Sequence, residues 1–140
     1  MLLTPHFDSM EFVHSATAQA RGIDNSPDLV QFANLSKLAD VLEKVRVLLD
    51  NKPIHITSGF RCPELNAAVG GVTDSAHLHG LAADFLCPSY GNVQAVYSRI
   101  APHVMELGID QLIHEHGVNG VEWVHLGLSN GEPRNQCLTV

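Results

Sequence analysis

The run Gly80-Leu81-Ala82-Ala83-Asp84-Phe85-Leu86 sets a carboxylate inside what reads as a buried strand of small and apolar residues, ended by Pro88. An unpaired carboxylate is costly to bury, so any fold of this chain must bring Asp84 a partner. His77 lies seven residues earlier in a polar loop, and Gly80 allows that loop to fold back on the strand. Two partners fit. One is a metal ion, because histidine nitrogen and aspartate oxygen are both good Zn²⁺ donors. The other is a set of backbone N–H groups in a turn.

A third candidate donor is His125 in Trp123-Val124-His125-Leu126, with Glu122 three residues upstream. A catalytic zinc keeps three protein ligands and an open position, with a carboxylate nearby to handle protons, which makes Glu122 the candidate base. Strand alternation puts residues 122 and 125 on opposite faces, so this role requires Glu122 to sit in a turn or on a bulge before the regular strand. Most of the nine histidines lack such context and suit ordinary structural uses. His77-Leu78-His79 lacks the Asp-His dyad that a binuclear hydrolase needs after it. His114-Glu115-His116 sets two imidazoles on one strand face, as a surface metal-scavenging pair would. There is no H-E-x-x-H helix, no G-x-S-x-G elbow and no phosphate-loop lysine after Gly70-Gly71.

The pattern of elements predicts an α+β fold with a small, mostly antiparallel sheet flanked by helices, in a single domain over residues 1–140. Ser9 is the expected cap of a helix from Met10 to Arg21, closed by Gly22. The strongest helix opens at Ser26-Pro27, carries Leu35, Leu38, Ala39, Leu42, Val45 and Leu49 at a 3.6-residue period, and stops at Asp50-Asn51-Lys52-Pro53. Ile54 to Thr57 alternates like a strand, and Pro63 to Val69 reads as a short helix. A helix from Val93 toward Leu107 is expected to be split by Pro102. Gln111 to Glu115 and Trp123 to Leu128 read as a hairpin around Gly117-Val118-Asn119-Gly120, and the tail from Ser129 as irregular.

Composition narrows the partners. Eight Lys and Arg against 15 Asp and Glu give a formal charge of −7, with no basic cluster to neutralise a phosphate backbone, so no nucleic-acid partner is expected. Nothing approaches the roughly 20 apolar residues of a membrane helix, and no signal-peptide core follows Met1. Cys62, Cys87 and Cys137 are odd in number and widely spaced, which suits unpaired thiols in a reducing compartment.

Four ordered segments together resemble the zinc D,D-carboxypeptidase and L-alanyl-D-glutamate endopeptidase family. They are Ser58-Gly59-Phe60-Arg61, Leu65 to Gly71, Ser75 to Asp84 and Glu122-Trp123-Val124-His125, matching S-x-H-x-x-G-x-A-x-D followed by E-x-x-H. The opening, Leu3-Thr4-Pro5-His6-Phe7 and later Gly22-Ile23-Asp24-Asn25, is similar to the small stand-alone subgroup common in phages and prophages. The resemblance runs from about Leu3 to Leu128. It implies a hedgehog/D,D-peptidase-like fold, one Zn²⁺ per chain held by His77, Asp84 and His125, and Glu122 as general base and acid. It also implies Arg61 near the reacting carbonyl and Ser75 as a substrate contact, or alternatively as the cap of its loop. Phe60 stands where the family more often has tyrosine, and His79 falls at a variable position. The implied substrate is a peptidoglycan stem peptide, met by a monomer that is made in the cytoplasm and reaches the wall after release or within a phage particle. The alternative is a zinc-containing binding module, as in the related hedgehog signalling domain, or a virion structural component.

Overall fold

In the computed structural model, which describes residues 1–140, side-chain caps divide the N-terminal region. Strands β1 (Leu2–Thr4) and β2 (Phe7–Asp8) pair antiparallel. Asp8 then caps α1 (Ser9–Val13): its carboxylate accepts from the Met10 N–H, and the Glu11 carboxylate accepts from the Asp8 N–H. His14 is extended, and the Ser15 hydroxyl accepts from the Ala18 N–H to open α2 (Ala16–Arg21), which Gly22 ends at φ 65°. The single helix expected from Met10 to Arg21 is therefore two. Ser9 lies inside the first, and Asp8 and Ser15 do the capping.

Helix α3 (Leu29–Leu48) begins after Pro27, with Asp28 and Gln31 forming its capping box, and Asp50 and Asn51 turn the chain out of it at φ 57° and 58°. Its buried stripe, Leu35, Leu38, Ala39, Leu42 and Val45, follows the expected period. Each leucine there contributes about 2 kcal/mol of burial. Strand β3 (His55–Ser58), helix α4 (Pro63–Ala68), strand β4 (Ala82–Leu86), helix α5 (Val93–Ile100) and the hairpin β5 (Gln111–His116) and β6 (Glu122–Gly127) lie where the pattern places them. Pro102 turns the chain after α5 into a 3-10 turn at Ala101–His103. No helix is long and apolar enough to cross a membrane.

The tail is not irregular throughout: Gln136–Thr139 forms β7. Arg134 and Asn135 anchor it, with the Asn135 amide donating to the carbonyls of Val104 and Ile109, and β7 then adds beside β5. The five-stranded order is β3-β4-β6-β5-β7. The sheet is mixed, because β7 runs parallel to β5 while the other pairings are antiparallel. Alternation sends Ala83, Phe85, Leu112, Val124 and Leu126 into the core shared with α3 and α5. It sends Asp84, Ile113, Glu115, Trp123 and His125 to the other face, which lines a cleft.

Candidate metal centre

Asp84 receives partners from two directions. The β4–β6 register sets it directly opposite His125, whose Nδ1 lies 3.0 Å from Asp84 Oδ1. His77 arrives from a 3-10 turn, Ala76–His79, with Nε2 3.3 Å from the same oxygen. That turn is fixed at both ends. The Ser75 hydroxyl accepts from the His77 N–H, and Gly80 closes the turn at φ 72°. Helix α3 clamps it from the side: the Asn34 amide donates to the His79 carbonyl at 2.8 Å, and the Gln31 amide to the Leu78 carbonyl at 3.2 Å.

The donor chemistry fits a cation. The Gly59 carbonyl only accepts, so His77 donates to it from Nδ1 at 2.7 Å, which leaves the Nε2 lone pair aimed at the Asp84 carboxylate. Donor atoms of His77, Asp84 and His125 lie within 4.8 Å of one another, and all three residues are buried. Two imidazole nitrogens and one carboxylate oxygen make a set that suits zinc with a position left open. Burial pushes the Asp84 carboxyl up, but hydrogen bonds and charge from His125 and His77 outweigh it and hold the group well below the usual carboxylate range.

Arg61 secures the same carboxylate from behind. Its Nη2 donates to Asp84 Oδ2 at 3.3 Å, its Nε to the Ser58 hydroxyl at 3.0 Å, and its Nη1 to Asn66 Oδ1 at 3.1 Å. Asp84 Oδ1 is thereby left to the two imidazoles. Asn66 is buried and also donates to the Val72 carbonyl, so it ties Arg61 to the loop after α4. Gly71 is required there, because a Cβ would stand 2.0 Å from Asn66 Oδ1. Asn25 does similar work below the site: its amide donates to the carbonyls of Val13 and Phe60 and its oxygen accepts from the Cys62 N–H. Phe60 itself is in the core.

These groups open into a cleft of about 740 Å³ that Arg61, Ser75, Glu115, Trp123 and the three candidate ligands line. The structure brings His77, Asp84, His125, Arg61 and Ser75 together, and it does not bring Glu122 to them. No bulge precedes β6: Glu122 pairs regularly with His116, lies on the opposite sheet face from His125, and directs its carboxylate to His114 and His116. The carboxylate beside His125 is that of Glu115, with Oε1 3.6 Å from His125 Nδ1 and a side chain 30% exposed. Sequence reasoning missed it, although alternation along β5 together with the hairpin register pairs Glu115 with Trp123 and so sets it diagonally beside His125.

Comparison with known proteins gives two findings. The family model described as peptidase M15 matches residues 5–126. A stretch of 50 residues is 40% identical to a zinc D-Ala-D-Ala carboxypeptidase of Streptomyces albus G, covering 36% of this chain and 20% of that protein.

Proposed function

Because the chain belongs to the peptidase M15 family, we propose that it is a zinc metallopeptidase hydrolysing an amide bond of peptidoglycan stem peptides. The bond is of the D,D-carboxypeptidase or L-Ala-D-Glu endopeptidase type, and the fold is of the hedgehog/D,D-peptidase type. The observation that carries this reading is the convergence of His77, Asp84 and His125 at the base of one cleft, with a partly exposed carboxylate, Glu115, at their side.

One zinc ion held by those three residues would polarise the scissile carbonyl and lower the pKa of a water. Glu115 is the base in this scheme: its carboxylate takes a proton from the attacking water and returns it to the leaving amine. Its side chain is 30% exposed, within reach of a water that enters the cleft. Arg61 has five N–H donors and spends three on Ser58, Asn66 and Asp84, so two remain for a substrate carboxylate or a developing oxyanion. Ser75 accepts from the His77 N–H and keeps its own hydroxyl proton to offer to substrate. With a formal charge of −7 the chain has no basic surface to hold an anionic wall polymer, and recognition falls to this cleft. Access to the wall then comes after release from the cell or from within a phage particle, and one copy carries a complete site.

Digestion of purified sacculi with zinc-loaded protein, read by mass spectrometry, tests the proposal. Loss of a terminal D-Ala, or fragments with a new D-Glu amine, is expected. Bound zinc without any new amine would make the chain a binding or structural module instead.

A further inference from the structure

The face of the β5–β6 hairpin turned away from the cleft carries a second donor set. His114 and His116 lie two residues apart on β5, and Glu122 stands opposite His116 on β6. Nε2 of His114 is 2.6 Å from Glu122 Oε1, and Nε2 of His116 is 3.3 Å from the same oxygen. The two rings stack with centroids 4.5 Å apart and planes at 21°. The three donor atoms fall within 4.8 Å of one another.

The outer ring nitrogens determine what belongs between these groups. The Val140 carbonyl only accepts, so His116 donates to it from Nδ1 at 2.9 Å. Gln94 Oε1 takes the same part for His114 Nδ1 at 3.0 Å. With both Nδ1 atoms protonated, each neutral ring points an Nε2 lone pair at a carboxylate oxygen, which is itself an acceptor. Three acceptors converging on one point suit a shared cation. One divalent ion satisfies all three. A ligand imidazole whose second nitrogen donates to an oxygen is the usual arrangement at metal sites, and His77 with Gly59 repeats it on the other face.

We infer that His114, His116 and Glu122 form a second divalent transition-metal site, of the zinc class, clipping β5 to β6 on the sheet face opposite the cleft. Two imidazole nitrogens and a carboxylate oxygen favour zinc over the harder Mg²⁺ or Ca²⁺. His114 is buried and rests near Tyr97 of α5, with ring centroids 6.0 Å apart, which fixes one ligand. His116 and Glu122 have side chains 48% and 41% exposed, so an ion can enter and complete its shell with water. The clip lies at the turn end of the hairpin that carries both Glu115 and His125, and its role is to hold that hairpin.

Zinc stoichiometry of the full chain, by equilibrium dialysis with elemental analysis, tests the site. Two zinc ions per chain are expected for the wild type and one for His116→Ala, which alters an exposed side chain and leaves the core intact. His125→Ala should keep one, and long-range ¹H–¹⁵N spectra of that variant should show zinc moving the Nε2 resonances of His114 and His116 while Nδ1 stays protonated. One ion in the wild type and none in His116→Ala would support this site and count against zinc in the cleft. Equal zinc content in the wild type and His116→Ala would overturn the inference, whether or not His125→Ala folds.

Discussion

Glu115 and His125 stand diagonally across the β5–β6 hairpin with a carboxylate oxygen 3.6 Å from Nδ1, while Glu122, only three residues before His125, lies on the far side of the sheet. The pair sets the first prediction. Glu115→Gln keeps the shape of the side chain and removes the base, so kcat on stem-peptide substrate should fall about 10²–10⁴-fold, the usual range for a lost general base, with zinc content unchanged. The loss in Glu122→Gln should be at least tenfold smaller. The reverse order of the two variants in an amine-release assay would return the role to Glu122.

Arg61 and Asp84 set the second. Lysine offers a single ammonium in place of the guanidinium fork that reaches Ser58, Asn66 and Asp84 together. Loss of such an outer partner typically weakens metal binding about 10–100-fold, and that is the expected change for Arg61→Lys in competition with a chelating dye. Unchanged zinc affinity with a raised KM would show that Arg61 serves the substrate and does not orient the ligand.

What was legible in the sequence divides along the range of the interactions. Asp84 in an apolar strand announced a buried partner, and the 3.6-residue stripe of α3 announced a core helix, because burial leaves a local pattern. The split between α1 and α2 was hidden because Asp8 and Ser15 compete with Ser9 as caps, and the choice rests on which N–H each oxygen meets. Strand β7 was hidden because Gln136-Cys137-Leu138-Thr139 has little alternation of its own and owes its place to Asp110 and to the carbonyls that hold Asn135. The E-x-x-H spacing points to Glu122, whereas the carboxylate beside His125, that of Glu115, is set there by the pairing of β5 with β6, which no local spacing reveals. In a regular ladder residues 122 and 125 fall on opposite faces, and β6 is regular from its first residue.

The tail supplies a pH prediction. Asp110 accepts from the Arg134 backbone N–H at 2.8 Å, from Nε at 3.1 Å and from Nη2 at 2.8 Å. The Arg134 guanidinium hydrogen bonds lead in holding the Asp110 carboxyl below its ordinary value, against a smaller upward push from burial. A carboxylate depressed by folding stabilises the fold fully above its unfolded pKa of about 3.9, and this stability fades as pH falls through the folded value. Wild type should therefore melt above Asp110→Asn at pH 7, and the gap should close as pH drops below about 4. A gap independent of pH would assign the effect to packing of β7.

Gly80 sets the last prediction, since it closes the turn that carries His77. Its φ of 72° disfavours any side chain, and a Cβ would stand 2.6 Å from the Gln31 carbonyl oxygen in α3. Backbone cannot yield there without moving either α3 or the turn, so Gly80→Ala should cost about 1–3 kcal/mol of stability. Asn34→Ala works on the same clamp by removing the donor to the His79 carbonyl, again at about 1–3 kcal/mol if that carbonyl is left unpaired. Both variants should lower the melting temperature of the zinc-free protein. Both should also weaken zinc in the cleft, because the turn positions Nε2 of His77. Having lost one clamp, the double variant should lose less than the sum of the two single losses, which denaturant titrations of the four proteins would measure. Full additivity would mean that Gly80 and Asn34 hold the turn independently, and an unshifted melting temperature in Gly80→Ala would mean that the turn relaxes freely and does not preset His77.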